Sequence, residues 1–565
     1  MDLEKNHLSV IDYTVFGLML VISALIGIYY KLSGGRQQTT EEYLLANKQM
    51  SVIPVAFSLM ASFMSAITLL GVTAEIYMFG IEFIIINISY IIGTPIAGLI
   101  FLPVFYKLKV VSIYEYLEKR FNRTVRITAS LVFTTQMIVY MSIVLYAPAL
   151  ALSAVTGLSK WTAIISVGFV CTLYCTIGGI KAVIWTDVFQ SILMFTALIA
   201  IIIKGTVDVG GIDVVWHRAL VSNRLNLINL DPNPFTRQSL WSLTIGGVFI
   251  YVSLYGVNQT QVQRLLTLKS LRKSQKALTI SWILTSMLSL ITAFTGLVIF
   301  ANFWKCDPLL ENEILKSDQL MPYFVMKSLA TYPGLPGLII AGIFSGSLSS
   351  VSSFVNSLAA VSLEDYIKPH FRDRLSQKFE IIASKILVMF YGCLCVSLTV
   401  LADQMPAILQ ASLIIFGVVG GPLLMLFTAG MCCPGCNSFG TLIGFVISLI
   451  VGFWIGIGNV LFASKPIPLS RSTQECPNNM FNNLTSSLPQ QPLNQNNSFS
   501  LYNLSYMWFS AFTFTIGLII AIILSKLKGN QKPVNNSLLT PLLRSSGNHG
   551  IEINDTNESI KLNNF

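Results

Sequence analysis

The chain of 565 residues is 53% hydrophobic and only 11% charged, which excludes both an ordinary soluble globular protein and a disordered one. Its net charge of +10 does not call for nucleic acid: in a chain whose solvent is the lipid bilayer, a Lys/Arg excess marks the cytoplasmic loops. No Walker loop, GxGxxG fingerprint or HExxH occurs, and His7, His217, His370 and His549 all fall in predicted loops or tails, which argues against an enzyme.

The first ten residues lack a basic n-region and a small-residue cleavage site, and the apolar run that follows is long enough to remain as a helix. Thirteen spans are predicted, at 10–30, 51–78, 82–105, 126–151, 161–178, 184–203, 241–262, 277–302, 335–360, 381–401, 407–431, 439–462 and 505–526. The expectation is one all-α polytopic domain over 10–526. Residues 1–9 then lie outside, and an Asn- and Ser-rich tail at 527–565 lies inside and is disordered.

With an odd number of spans, three basic segments share one side: KLKVVSIYEYLEKRFNRTVR, RLLTLKSLRKSQK and DYIKPHFRDRLSQK. That side is read as cytoplasmic, with the N-terminus outside and the plasma membrane as the location. The polar loop at 463–504 then falls outside and carries glycosylation sequons at Asn483, Asn496 and Asn503. Further sequons at Asn535, Asn554 and Asn557 sit in the inner tail, where this topology leaves them unused. Cys306 and Cys476 lie in predicted outer loops, where a disulfide between them is permitted but not required. The CCPGC at Cys432–Cys436 ends a helix on the cytoplasmic side; with no partner in view for metal or redox chemistry, it reads as free or acylated thiols.

Polar residues inside spans point to a pathway or to one another. Four stretches stand out: SLMASFMSAITLLG at Ser58–Gly71, GGIKAVIWTDVFQ at Gly178–Gln190, YVSLYGVNQTQVQR at Tyr251–Arg264, and SGSLSSVSSFVNSLAAVSLED at Ser345–Asp365. In the last, helical spacing puts Gly342, Ser345, Ser349, Ser352 and Asn356 on one stripe and Gly346, Ser350, Ser353 and Ser357 on the next. Phe344, Leu348, Val351, Val355 and Leu358 face the other way. Close helix packing through small residues is a sufficient account of that stripe by itself. SLMASFMSA adds a second reading: small residues interrupting a span mark a broken helix, and freed carbonyls with neutral hydroxyls suit a sodium ion.

On these motifs the chain resembles the sodium/solute symporter family from about Tyr13 to Lys526, GGIKAVIWTDVFQ being the longest and most specific match. SLMASFMSA, YEYLEKRF, YAPALAL, YGVNQTQVQR and the serine stretch are most similar to the branch that carries vitamins, monocarboxylates and iodide. The resemblance implies a LeuT-type core of two inverted five-helix repeats, spans two to six and seven to eleven, with extra flanking helices. It implies a sodium site from the carbonyls of Ala61, Met64 and Gly346 and the hydroxyls of Ser349 and Ser350. The family more often has Ser or Ala where Gly346 stands, a change that a carbonyl donor tolerates.

Asp187 matches an acid on the sodium exit path; a helix cap at about Val188 is its alternative role. The resemblance lines the substrate cavity with Phe63, Thr68, Asn87, Tyr90, Tyr251, Tyr255, Leu409 and Leu413, each of which could equally be packing, and gives Tyr140 a place there and in a second sodium site. Thr68 and Tyr90 stand where the iodide carrier has Gln, and Leu413 where it has Phe, departures that favour an organic anion. The implied function is sodium-coupled import of a small organic anion, such as biotin, pantothenate or a monocarboxylate, by alternating access. An inorganic-anion or sugar carrier, and a sodium-gated sensor or channel on the same scaffold, are the alternatives.

Overall fold

The computed structural model describes residues 8–33, 39–156, 159–371, 376–400, 408–464, 466–476, 501–529 and 534–543. The first helices are α1 (Val10–Leu32), α2 (Thr40–Leu45), α3 (Val52–Phe63), α4 (Ala66–Phe79), α5 (Ile86–Ile96), α6 (Leu102–Leu108) and α7 (Tyr114–Arg120). The middle of the chain forms α8 (Arg123–Thr156), α9 (Lys160–Val209), α10 (Ile212–Val221), α11 (Gly247–Tyr255), α12 (Gln259–Leu265), α13 (Leu271–Asn302) and α14 (Leu320–Ser328). It closes with α15 (Leu335–Val361), α16 (Lys368–His370), α17 (Gln377–Leu398), α18 (Ile408–Cys432), α19 (Ser438–Phe462) and α20 (Phe509–Lys528). No strand occurs among the described residues.

Polar caps start the helices where the sequence supplies them. Ser9 and Asp12 form a capping box on α1, and the same Asp12 carboxylate accepts from the Gly334 and Gly337 amides at 2.9 Å, pinning α1 to the start of α15. Ser270, Ser376 and Asn437 cap α13, α17 and α19.

The 50 residues of α9 would make a rod of about 75 Å, far longer than a hydrocarbon core of about 30 Å. They do not run straight. Gly179 has φ +59°, a conformation that costs a side chain dearly, and a Cβ there would meet the Tyr43 ring at 2.8 Å. Gly27 of α1 touches Tyr174, while Ser23, one turn away, lies 3.5 Å from the Gln190 amide nitrogen. Only a chain that folds back at Gly179 can bring positions 174 and 190 to neighbouring turns of α1.

By length and apolarity ten helices of the described residues can cross a membrane, eleven if the bent pair Thr40–Lys48 and Val52–Phe63 counts as one, against the thirteen expected. The difference has physical causes. One is the hairpin α9; the others are two interrupted helices, α3/α4 and α11/α12, whose pieces of 12, 14, 9 and 7 residues are each too short to qualify.

The serine-rich α15 is the centre of the molecule: 94% of its apolar window is buried inside the protein, against 22% for α1. It packs against both halves of the α9 hairpin, α8, α1, α17 and the broken α3/α4. The basic segments meet at one end of the bundle. There Arg126 pairs with Asp365 at 2.6 Å, Ser112 donates to Asp365 at 3.1 Å, and the Tyr106 hydroxyl donates to the Leu268 carbonyl at 3.1 Å. At the far end of α13, Cys306 and Cys476 are joined in a disulfide, with Arg471 3.5 Å from Asp307.

Part of the tail expected to be disordered is ordered. Residues 536–538 and 541–543 form 3₁₀ turns; the Leu538 carbonyl accepts from Tyr116 at 3.1 Å and the Thr540 amide donates to Met431 at 3.1 Å. Leu538 and Leu539 are buried and give this short stretch an apolar anchor that its Asn/Ser content conceals. Asn483, Asn496, Asn554 and Asn557 lie outside the described residues.

Candidate functional site

Two helix breaks build the centre. α3 ends at Phe63, Met64 leaves helical geometry at ψ 72°, and Ser65 restarts the chain as the cap of α4, its hydroxyl accepting from the Ile67 amide at 3.2 Å. A helix end frees its last carbonyls. The Ala61 carbonyl accepts instead from the Ser349 hydroxyl of α15 at 2.9 Å, and the same hydroxyl lies 3.1 Å from the Gly346 carbonyl. Ser350 is fully buried and its hydroxyl has no partner among the described residues, a costly state for a polar group unless something else coordinates it. Ala61, Gly346 and Ser349 are thus in direct contact, with Met64 and Ser350 beside them. All five offer neutral oxygens, the donor set that suits a monovalent cation.

Gly346 corrects the sequence reading. A Cβ at this position would come within 2.7 Å of the Ala66 nitrogen and 2.9 Å of the Ser65 carbonyl carbon. The glycine is what lets α15 lie backbone to backbone against the break, so the substitution is not the neutral change that its carbonyl role suggested.

From Ser349 a buried polar ladder leads to Asp187. The Ser353 hydroxyl donates to the Ser349 carbonyl at 2.5 Å and meets the Ser62 hydroxyl at 3.0 Å. Arg264 donates through its fork to Ser353, to Ser58 at 2.8 Å and to the Thr260 carbonyl at 2.7 Å. Ser58 in turn donates to Asp187 at 2.5 Å, and the Arg264 guanidinium lies 3.7 Å from the same carboxylate. Asp187 and Arg264 are both almost wholly buried.

Asp187 is not a helix cap, since α9 is helical well before Val188. Arg264 was not singled out in the sequence as a site residue; the visible signal was a basic residue closing the polar motif YVSLYGVNQTQVQR. Ser347 and Ser353 are also more than spacers, Ser347 donating to the Val144 carbonyl at 2.6 Å.

α11 ends at Tyr255 and α12 starts at Gln259, with Asn258 capping the second piece through the Thr260 amide at 2.9 Å. This second break faces the first across a cavity lined by Phe63, Thr68, Tyr90, Tyr140, Tyr251, Tyr255, Leu409 and Leu413. Tyr251 and Tyr255 stack at 4.4 Å, Tyr90 stands 5.2 Å from Tyr251, and Thr94 fixes the Tyr251 hydroxyl at 2.8 Å. The Tyr140 hydroxyl lies 3.4 Å from that of Ser65, at the first break.

Asn87 does not line the cavity: its amide is turned to the Ile84 carbonyl at 2.7 Å and to Ser289 at 3.2 Å, so it stands behind Ser289, which does. Thr285, Ser289, Ser412 and Phe416 are lining residues that the sequence reading missed. Ser281, Thr285 and Ser289 recur at four-residue spacing along α13, a legible hydroxyl stripe.

A model of the family described as "Sodium:solute symporter family" matches residues 43–448. Human sodium-coupled monocarboxylate transporter 1 is 44% identical over 92% of this chain and 88% of its own length. The sodium-dependent multivitamin transporter of Oryctolagus cuniculus is 42% identical over 96% of this chain and 86% of its own. The solved structure of a Na+-coupled sialic acid symporter in a substrate-bound outward-open state superposes with TM-score 0.77 at 23% identity, covering 93% of this chain and 99% of that one. The shared architecture is LeuT-type, with a broken helix opening each repeat.

Proposed function

We propose, since the chain belongs to the sodium:solute symporter family, that it imports a small organic anion, a monocarboxylate or a vitamin carboxylate such as biotin or pantothenate. As a member it is a sodium-coupled transporter and not an enzyme. The observation that carries the site is the Ser349 hydroxyl joining the Ala61 carbonyl of the broken α3/α4 to the Gly346 carbonyl of α15. Sodium held by these oxygens, with Met64 and Ser350, ties the two helices together; substrate then enters the tyrosine-lined cavity and the bundle rocks to the other side. Asp187 lies on the ion's way out.

The named substrates of the two transporters above favour a carboxylate. Among the described residues no Lys, Arg or His lines the cavity, so a bound carboxylate finds tyrosine, serine and threonine hydroxyls but no cationic side chain. A second sodium near Tyr140 and Ser65 supplies the missing charge.

The energetics agree. One sodium crossing about 60 mV releases about 1.4 kcal/mol, and a tenfold gradient adds about as much. A monovalent anion cancels the electrical part for a single ion, so two sodium ions are needed for strong accumulation. We place the protein in the plasma membrane, N-terminus outside and the segment after α20 inside. The test is uptake of labelled biotin, pantothenate, lactate, iodide and glucose in expressing cells, with and without sodium. Sodium-dependent accumulation of an organic anion supports the reading; ligand-evoked current without accumulation, or preference for iodide or glucose, overturns it.

A further inference from the structure

The CCPGC segment between α18 and α19 lies at the end of the bundle that carries the basic segments, and the transport cycle above leaves it unused. Its sequence offered no chemical partner; the fold supplies one. Cys433, Pro434, Gly435 and Cys436 close a turn in which the Cys436 amide donates to the Cys433 carbonyl at 3.1 Å, which holds the two cysteines at the ends of one turn. Arg120, the last residue of α7, reaches over this turn. It donates to the carbonyls of Gly430 at 3.0 Å, Cys433 at 3.3 Å, Pro434 at 3.2 Å and Cys436 at 3.1 Å.

Cys433 is partly exposed and Cys436 is buried, so one sulfur can be attacked from water while its neighbour waits behind it. The Cys436 side chain, working against burial and joined by the Arg120 charge, lowers the Cys433 thiol below its ordinary value, which raises its thiolate share. Metal binding does not account for the pair. Among the described residues no group of three or more His, Cys, Asp or Glu side chains is gathered, and two sulfurs fall short of a structural zinc site.

We propose that Cys433 and Cys436 are a thiol/disulfide couple that exchanges with small-molecule disulfides, Cys433 as the attacking sulfur and Cys436 as the resolving one. In the first step the Cys433 thiolate attacks a disulfide RSSR, forming a Cys433–SR bond and expelling RS⁻. In the second, Cys436 gives up its proton to RS⁻ or water and attacks the Cys433 sulfur, closing the Cys433–Cys436 bond and releasing a second thiolate. The balance is two protein thiols and one RSSR giving one protein disulfide and two RSH. The reaction removes the thiolate beside Arg120 and leaves that guanidinium the four carbonyls and the Phe121 ring. The molecule then carries a settled disulfide, Cys306–Cys476, at one end and an exchangeable pair at the other.

The experiment equilibrates the full-length protein, in permeabilised membranes, with graded ratios of reduced and oxidised glutathione. Alkylation and peptide mass spectrometry then map the cysteines. The expected result is a Cys433–Cys436 disulfide that forms and reverses with the ratio. Cys436→Ala stops at a glutathione adduct on Cys433, and Cys433→Ala yields neither product. The proposal is overturned if both thiols stay alkylatable across the whole range, if Cys433→Ala still takes an adduct at Cys432 or Cys436 at the original rate, or if Cys433 carries a fatty acyl group in the isolated protein.

Discussion

At Gly346 the atom that matters is the one the residue lacks. Gly346→Ser keeps the carbonyl but adds a Cβ 2.7 Å from the Ala66 nitrogen, overpacking of a kind that costs about 1–3 kcal/mol; sodium dependence of uptake should shift to markedly higher concentration. Ser349→Ala keeps the packing and removes one proposed ligand, and should raise the half-saturating sodium concentration by about tenfold or more. Unchanged sodium dependence in the serine variant removes it from the site. Arg264 permits a sharper test. Arg264→Ala strands a buried Asp187 carboxylate, a loss of about 3–5 kcal/mol, readable as a fall in thermal midpoint in detergent. The double change Arg264→Ala with Asp187→Ala should recover part of that loss, whereas an additive double variant would mean the two residues do not act as a pair.

Among the elements, the serine stripe and the first broken helix were legible because small polar residues in an apolar run are conspicuous at helical spacing. The second break was not. Gly256–Val257–Asn258 reads as an unremarkable interruption until it is seen opposite the first. The hairpin inside α9 was legible as two spans but its cause, Gly179 at φ +59° against Tyr43, was not. Gly179→Ala should therefore destabilise the fold by about 1–3 kcal/mol and lower the yield of folded protein on size-exclusion chromatography. A variant as stable as the parent would show that the turn does not depend on glycine. The alternative role of Asp187 as a cap falls for a related reason. Capping is argued from where a helix starts, and the hairpin starts its second arm at Ile180, far enough upstream to leave Asp187 free for Ser58 and Arg264.

For the whole molecule, the sequence assigned sides by counting spans, and contacts of the three basic segments, one of them through Tyr106 just before the first, put them together at one end without any count. Residues 534–543 depart from the expected disorder because composition averages over 39 residues and hides a two-leucine anchor. Sidedness is open to a direct check with endoglycosidase. Changing Asn483 and Asn496 to Gln should remove the mobility shift, while Asn503→Gln should leave it, since Asn503 accepts from the Ser464 amide at 3.2 Å and Ser505 of its sequon is buried on the Arg237 carbonyl at 2.6 Å. Loss of the shift on changing Asn554 and Asn557 would invert the topology.

Four buried acids of the bundle keep a cation of their own: Asp187 with Arg264, Asp365 with Arg126, Glu75 with Arg237, Glu42 with Lys181. An empty carrier built this way moves no net charge from these groups when it reorients across the membrane field. Voltage then acts on the loaded limb of the cycle and hardly on the return, so current should saturate at strongly negative potential once sodium is abundant, and transient currents should vanish in sodium-free solution. Neutralising one member of a pair, as in Asp187→Asn, would give the returning carrier a charge and make its rate sensitive to voltage.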